Sequence, residues 1–289
     1  AAARSLVLVM VARALLVIEA KARGRSLYHR TSAGAARRTA ILHLGRWRWP
    51  ALAFMSTVVA FALAAPMAVL GYWLVRGVQA GEPLGFVWDA AASSLYVSAL
   101  AAAATLVAAL PVAMLTVRHP GWASAILERI TYIGFALPGI VVALAFVYFG
   151  ARYVTPIYQT LGLLVLAYVL LFLPVAVGTL RASLLQINPH VEEAARSLGR
   201  PPSHVFVTVV LPMLRAAMLA SAVGVFLVTM KELPATLILG PLEFKTLATV
   251  TWSASSAAFF ARAAAPALLL VLLSSIPVTF FTFREQRWG

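Results

Sequence analysis

Seven blocks of apolar residues, separated by polar stretches, account for most of the chain. They lie at about 4–18, 51–75, 90–117, 131–150, 161–180, 211–230 and 264–283. About 20 apolar residues in a helix cross a hydrocarbon core of about 30 Å. Charged residues make up only 11% of the chain, against about 25% in soluble domains. The sequence therefore predicts an all-α, polytopic membrane helix bundle.

The basic residues of the polar segments give this bundle a predicted orientation. Lys and Arg are enriched in the loops of membrane proteins that stay in the cytoplasm. If residues 19–50 are cytoplasmic, the alternate loops 118–130, 181–215 and 284–289 are too, and these four segments hold 16 of the 23 Lys and Arg residues. The loops on the other side hold 5. We therefore predict a multi-pass protein with a cytoplasmic C-terminus, whose net charge of +14 requires no nucleic acid as a partner.

Several kinds of chemistry are not expected of this chain. It has no cysteine, which excludes disulfides and cysteine metal sites. Its five histidines show no metal-ligand spacing and its acids do not cluster in the apolar blocks, so we predict no metal site. The sequence contains no Gly-x-x-x-x-Gly-Lys-Ser/Thr phosphate loop. We therefore expect neither a bound cofactor nor ATPase or other enzymatic activity in the chain itself.

The first apolar block does not have the order of a signal peptide. Its apolar stretch Leu6–Ile18 contains Arg13 and is followed by Lys21, Arg23 and Arg25, whereas a signal peptide has its basic residues first. This order is typical of a membrane helix that ends in the cytoplasm. We interpret residues 1–18 as part of such a helix and 19–50 as a basic cytoplasmic linker.

The segment 188–204 predicts a short helix outside the membrane. Asn188 can cap it, and Pro189 suits the first helical position. Gly199 is a typical terminator, and two prolines follow it. The helix has one apolar face at spacing i, i+3, i+4 and i+7, formed by Val191, Ala194, Ala195 and Leu198. These features fit a lever that contacts a partner, and they equally fit a surface helix that closes a loop.

The spacing within and after this helix resembles a known family motif. Glu193-Ala194-Ala195, three residues, Gly199, nine residues, Val209, one residue and Leu211-Pro212 are similar to the EAA loop of prokaryotic ABC importer permeases. Val209 stands where the family pattern has Ile. In that family the short helix docks into a cleft of the ATPase subunit and passes nucleotide-driven motion to the membrane helices. The resemblance implies an ATPase-coupling role for Glu193, Ala194, Ala195, Gly199, Leu211 and Pro212.

A second stretch, residues 230–249, resembles the segment after the fifth core helix of ferric-iron permeases. The similarity is strongest in Lys231-Glu232-Leu233-Pro234-Ala235-Thr236. Lys231 and Glu232 end an apolar helix, and Pro234 predicts a break followed by a re-entrant or surface piece as far as Pro241. Two interpretations stay open. The charges form an ion pair or snorkel at the helix end, or Lys231, Glu232, Pro234 and Thr236 line or gate a translocation path.

The resemblance covers about residues 50–289 and implies an architecture. Residues 51–289 would be a six-helix permease domain with the coupling loop 188–204, and residues 1–18 the tail of a preceding membrane half. The implied partners are cytoplasmic ATPase subunits that use ATP, an extracytoplasmic substrate-binding protein, a second permease half and the lipid bilayer. The implied location is a prokaryotic inner membrane.

The resemblance favours iron(III) as the transported solute and leaves other solutes open. Permeases for thiamine, 2-aminoethylphosphonate, polyamines, sulfate and molybdate share the loop. An ion-coupled secondary transporter is the competing class, but such proteins usually carry acids within membrane helices. Glu232 is the one candidate here, and it adjoins Lys231 at a helix end.

Overall fold

Ten α-helices and two short 3-10 turns make up the regular structure of the part of the chain that the computed structural model describes, residues 45–286. The side chains of 133–136 and 280–286 are not described. The helices are α1 Arg48–Gln79, α2 Gly85–Arg118, α3 Trp122–Ala136, α4 Gly139–Tyr153, α5 Leu161–Leu184, α6 Pro189–Ser197, α7 Pro202–Met230, α8 Pro234–Leu239, α9 Leu247–Ser256 and α10 Phe260–Gln286. The 3-10 turns are Gly45–Trp47 and Thr155–Ile157.

The chain divides into two units, residues 1–55 and 56–289. Of the first unit the structure describes residues 45–55, which form the first 3-10 turn and the beginning of α1. The predicted span 4–18 and most of the predicted linker 19–50 lie outside the described residues. α1 begins at Arg48, slightly before the predicted end of that linker. The candidate site segments, residues 188–212 and 231–236, lie wholly within the second unit.

Five helices in the described range are long and apolar enough to cross a membrane, which confirms the polytopic helix bundle. They are Gly45–Gln79 (the first 3-10 turn with α1), α2, α5, α7 and the Phe260–Thr279 part of α10. α4 is a sixth, shorter apolar helix. Five of the six apolar blocks predicted within 51–289 thus each correspond to one long helix, and the sixth, 131–150, coincides only in part with α4. The described residues contain no β-strand.

The predicted single span at 131–150 is wrong, because Pro138 separates two helices and does not kink one. α3 ends at Ala136, and both Leu137 (φ −86°, ψ 131°) and Pro138 (φ −58°, ψ 137°) are outside the helical region. Proline has no N–H, and its ring disfavours a helical conformation for the residue before it. α4 then begins at Gly139. Pro66, Pro111 and Pro174, by contrast, lie inside continuous helices.

The core forms where α2 packs against α5 and α7. α2 contributes small residues, and Ala101, Ala109 and Ala113 are fully buried. Small side chains let membrane helices approach closely. The facing helices fill the space with larger residues, among them the fully buried Leu163, Leu164, Tyr168 and Leu214. α2 is therefore the central helix, and its 34 residues extend over about 50 Å.

Candidate functional site

The short helix α6 has the local structure predicted for the coupling loop. It runs from Pro189 to Ser197, and the Asn188 side chain accepts a hydrogen bond from the His190 backbone N–H at 3.0 Å. Gly199 follows with φ +80°, a left-handed conformation that favours glycine. No atom lies within 4 Å of the place where a Cβ would stand on Gly199, so the glycine is required by its backbone conformation and not by crowding.

The apolar face of α6 is largely uncovered. Leu198 is 82% exposed and Val191 41% exposed. Ala194 is exposed as well, and Ala195 is half-buried. The part of the chain that the structure describes therefore leaves this face open to a partner.

The two adjacent glutamates of α6 have different surroundings. Glu193 is exposed, and its Oε2 lies 2.8 Å from His190 Nδ1. Glu192 is only 5% exposed, and its Oε1 accepts a hydrogen bond from Arg118 Nε at 2.8 Å. Arg118 Nη2 also donates to the Ile187 carbonyl at 3.1 Å. Sequence reasoning selected Glu193 of this pair and did not predict the contact of Glu192 with Arg118.

Leu211 and Pro212, the end of the matched motif, follow a π-helical turn within α7. Residues Phe206–Val210 form this turn, and the Leu211 N–H bonds to the Phe206 carbonyl. Pro212 has no N–H that could donate to the carbonyl of residue 208, as the α-helical pattern requires. This missing bond explains why the helix is locally π-helical here. The motif thus marks an irregular turn, and Leu211 and Pro212 lie at its end.

The Lys231–Thr236 segment breaks the helix as predicted. α7 ends at Met230, and Pro234 opens the six-residue α8. The Glu232 carboxylate caps α8, because its Oε2 accepts from the Ala235 N–H at 3.0 Å and the Thr236 N–H at 3.4 Å. Lys231 is exposed, and the ion pairs of the described residues do not include a Lys231–Glu232 pair. Burial raises the pKa of the Glu232 carboxyl above its ordinary value, and its hydrogen bonds act in the opposite direction.

Thr236 joins this segment to the bundle. Its hydroxyl donates to the Glu232 backbone carbonyl at 2.8 Å and lies 2.6 Å from the Tyr168 hydroxyl of α5. Both Thr236 and Tyr168 are buried. The Glu232 side chain therefore fixes the beginning of α8, and Thr236 joins α8 to α5.

A cavity of about 760 Å³ lies at the end of α2 opposite to Arg118. Thr236 lines it, whereas Lys231, Glu232 and Pro234 do not. Asp89, Lys245 and Arg262 supply charged groups, and Ser93, Thr249 and Ser253 supply hydroxyls. The wall thus combines these charged and hydroxyl groups with apolar side chains such as Phe86, Phe244 and Phe259. Among the described residues no three His, Cys, Asp or Glu side chains are grouped in a way that could hold a metal ion.

Replacing Tyr168 with phenylalanine is expected to destabilise the protein modestly. The change removes the hydroxyl next to Thr236 and keeps the ring that stacks on Phe172 at a centroid distance of 6.1 Å. The loss of one buried hydrogen bond costs about 1 kcal/mol. This corresponds to a fall of about 2–4 °C in the thermal midpoint of a domain of this size, measured on purified protein in lipid nanodiscs. The same change at the exposed Tyr148 is the control and should leave the midpoint unchanged.

Two named permease proteins are similar to this chain in sequence. The Fe(3+)-transport system permease protein FbpB 2 of Haemophilus influenzae is 39% identical over 228 residues, which are 78% of this chain and 45% of that protein. The chain thus spans about half the length of this relative. A protein named as a 2-aminoethylphosphonate transport system permease, PhnV of Salmonella typhimurium, is 26% identical over 194 residues, 66% of this chain and 72% of that protein.

Solved structures share this fold, and a known protein family matches more than half of the chain. A bacterial alginate ABC transporter, solved in complex with an alginate-pentasaccharide-bound periplasmic protein, matches 84% of this chain and 95% of its own, with a TM-score of 0.67 and 14% identity. That likeness is one of fold. Residues 106–288, more than half of the chain, match the family described as the inner membrane component of binding-protein-dependent transport systems. The chain therefore belongs to the family of multi-pass, inner-membrane components of binding-protein-dependent transport systems.

Proposed function

We propose that the chain is a transmembrane permease subunit of an ATP-driven importer. The observation that carries this proposal is α6, a capped helix with the motif spacing of importer permeases and an apolar face that the described residues leave uncovered. We assign that face to a cytoplasmic ATPase subunit, which would bind and hydrolyse ATP. A second permease half and an extracytoplasmic binding protein would complete the assembly.

The solute we propose is iron(III). The support is the 39% identity to a protein named as an Fe(3+)-transport permease, together with the Lys231–Thr236 resemblance. The charged and hydroxyl-bearing cavity agrees with a hydrophilic cargo. 2-Aminoethylphosphonate is the second candidate, because a more distant relative carries that name. The two solutes differ in charge and size, so uptake measurements separate them.

Uptake by the complete transporter tests the solute. Proteoliposomes containing the full permease, its ATPase subunits and its binding protein should accumulate radioactive iron(III) in an ATP-dependent manner, and 2-aminoethylphosphonate should not compete. ATP-dependent uptake of 2-aminoethylphosphonate without iron would overturn the iron proposal and keep the importer. Uptake that follows an ion gradient and ignores ATP would overturn the importer itself.

Replacing Gly199 with valine is expected to weaken ATPase association. Valine at φ +80° is strained, so the end of α6 must rearrange and displace the docking face. The matched control is Gly81→Val. Gly81 has φ +75° and likewise has no atom within 4 Å of the place where a Cβ would stand, but it lies in the turn after α1. We expect Gly81→Val to co-purify with the ATPase like the wild type. Equal co-purification of both variants would contradict the docking role of α6.

A further inference from the structure

We infer that Arg118 and Glu192 form a clamp that passes the movement of α6 to α2 and through α2 to the cavity at its other end. This inference rests on the proposed function, in which an ATPase moves α6. Glu193 and Glu192 would then have separate roles: Glu193 is exposed towards a partner, and Glu192 positions α2.

The clamp holds the α6 segment at two points. The guanidinium of Arg118 donates through Nε to Glu192 Oε1 at 2.8 Å and through Nη2 to the Ile187 carbonyl at 3.1 Å. These two acceptors lie on either side of Asn188, the residue that caps α6. Arg118 is the last residue of α2. The planar arginine fork therefore fixes both the position and the direction of α6 relative to the end of α2.

The clamp is buried, so it resists separation. The side chains of Arg118 and Glu192 are 12% and 6% exposed. The second carboxylate oxygen, Glu192 Oε2, lies 3.6 Å from Arg196 on the next turn of α6. Parting a buried pair leaves an uncompensated charge with little access to water, which is strongly unfavourable. When α6 is displaced, the less costly outcome is that the end of α2 moves with it.

α2 connects this clamp to the cavity. The helix is continuous from Gly85 to Arg118, including at Pro111. Its first turns place Phe86, Asp89 and Ser93 in the cavity wall. α5 also leads to α6, through the backbone segment 185–188 that connects the two helices. Arg118 is the residue of α2 that bonds directly to the α6 segment, in addition to the packing of α2 against α5 and α7.

The clamp is tested in the intact transporter with Glu192→Gln. This change keeps the size of the side chain and an acceptor for Arg118 but removes the charge. Arg118→Lys is the second variant, since lysine keeps the charge and lacks the fork that reaches both acceptors. The matched control is Glu128→Gln, which alters a more exposed pair: Glu128 Oε1 lies 3.3 Å from Arg181 Nε, and the two side chains are 29% and 39% exposed.

We expect both clamp variants to bind the ATPase and hydrolyse ATP while the solute transported per ATP falls about fivefold or more, the lower range of coupling between linked sites. Glu128→Gln should transport with wild-type stoichiometry. Glu192→Gln leaves the buried Arg118 charge without its partner, so this variant is also expected to have a lower thermal midpoint. Arg118→Lys keeps both charges, so a loss of transport per ATP in this variant at a near-wild-type midpoint separates coupling from stability. Wild-type stoichiometry in both Glu192→Gln and Arg118→Lys would overturn the inference and leave the proposed function standing. A wild-type chain that binds no ATPase would overturn the proposed function and the clamp's role with it.

The proposed movement of α2 can also be measured as a distance between spin labels on α2 and α4. The chain has no cysteine, so Trp88→Cys in α2 and Tyr153→Cys at the end of α4 are the two positions in it that a thiol-directed spin label modifies. Both positions are exposed. The labelled transporter without these two substitutions gives the background from the other subunits. We expect the distance between the labels to differ between nucleotide-free and ATP-bound transporter, and this difference to be lost with Glu192→Gln. An equal ATP-dependent change in both proteins would overturn the clamp.

Discussion

Replacing Leu198 with aspartate is expected to abolish stable association with the ATPase subunits while the permease keeps its fold. Leu198 is 82% exposed and lies at the end of the apolar face of α6. Because the residue has so little contact with its own chain, the substitution removes little from the folded state. Burial of a leucine against a partner contributes about 1.5–3 kcal/mol, which is about 10- to 150-fold in affinity. A buried aspartate adds an unpaired charge to that loss.

The measurement is co-purification of the ATPase with the permease in nanodiscs, followed by titration of the free subunit. Leu242→Asp is the matched control, because Leu242 is 86% exposed but lies in the loop after α8, next to the cavity at the opposite end of the bundle. It should bind the ATPase as the wild type does. If Leu198→Asp also retains wild-type affinity, α6 is a connector between α5 and α7 and not a docking helix.

The features of α6 that sequence reasoning predicted correctly are those determined by neighbours in the chain. Asn188 caps the helix through His190, two residues away, and Gly199 ends it through its own backbone conformation. The break at Pro234 is local in the same sense. Every helix end leaves backbone N–H or C=O groups that need hydrogen-bond partners, and residues close by in the chain supply them. Such signals can therefore be recognised in the sequence before the fold is known.

The features that were missed depend on residues distant in the chain. Glu192 and Arg118 are 74 positions apart, and only the packing of α2 beside the α5–α6 connection brings them together. The order of the residues alone does not indicate which of the two adjacent glutamates is buried. Likewise, the contact between Tyr168 and Thr236 spans 68 positions.

Two features that were not predicted had local signals. The break at Pro138 could have been inferred, because the residue before a proline is disfavoured in a helix and Gly139 follows. The single span was predicted because apolar residues continue across 131–150 on both sides of the proline. An acid shortly before a proline at the first helical position also fits a capping role for Glu232, which accepts from Ala235 three residues later.

Replacing Gly240 with alanine is expected to lower stability by about 1–3 kcal/mol, the usual cost of forcing an extra methyl group into a filled space. A Cβ on Gly240 would stand 2.5 Å from the Thr236 backbone carbonyl oxygen. That oxygen already accepts from the Gly240 N–H at 3.0 Å, so it cannot move away without loss of the bond that ends α8. α8 packs against α4 and α5, and Thr236 contacts Tyr168. The strain therefore reaches the wall of the cavity.

The thermal midpoint in nanodiscs should fall by about 2–4 °C for each kcal/mol lost. The control is Gly121→Ala, since Gly121 also lies outside a helix and no atom is within 4 Å of a Cβ there. An unchanged midpoint for Gly240→Ala would mean that α8 shifts without cost and is not fixed against α4 and α5. In the expected case Gly240→Ala also reduces uptake more than ATPase association, because the strain lies at the cavity and α6 is at the opposite end of the bundle.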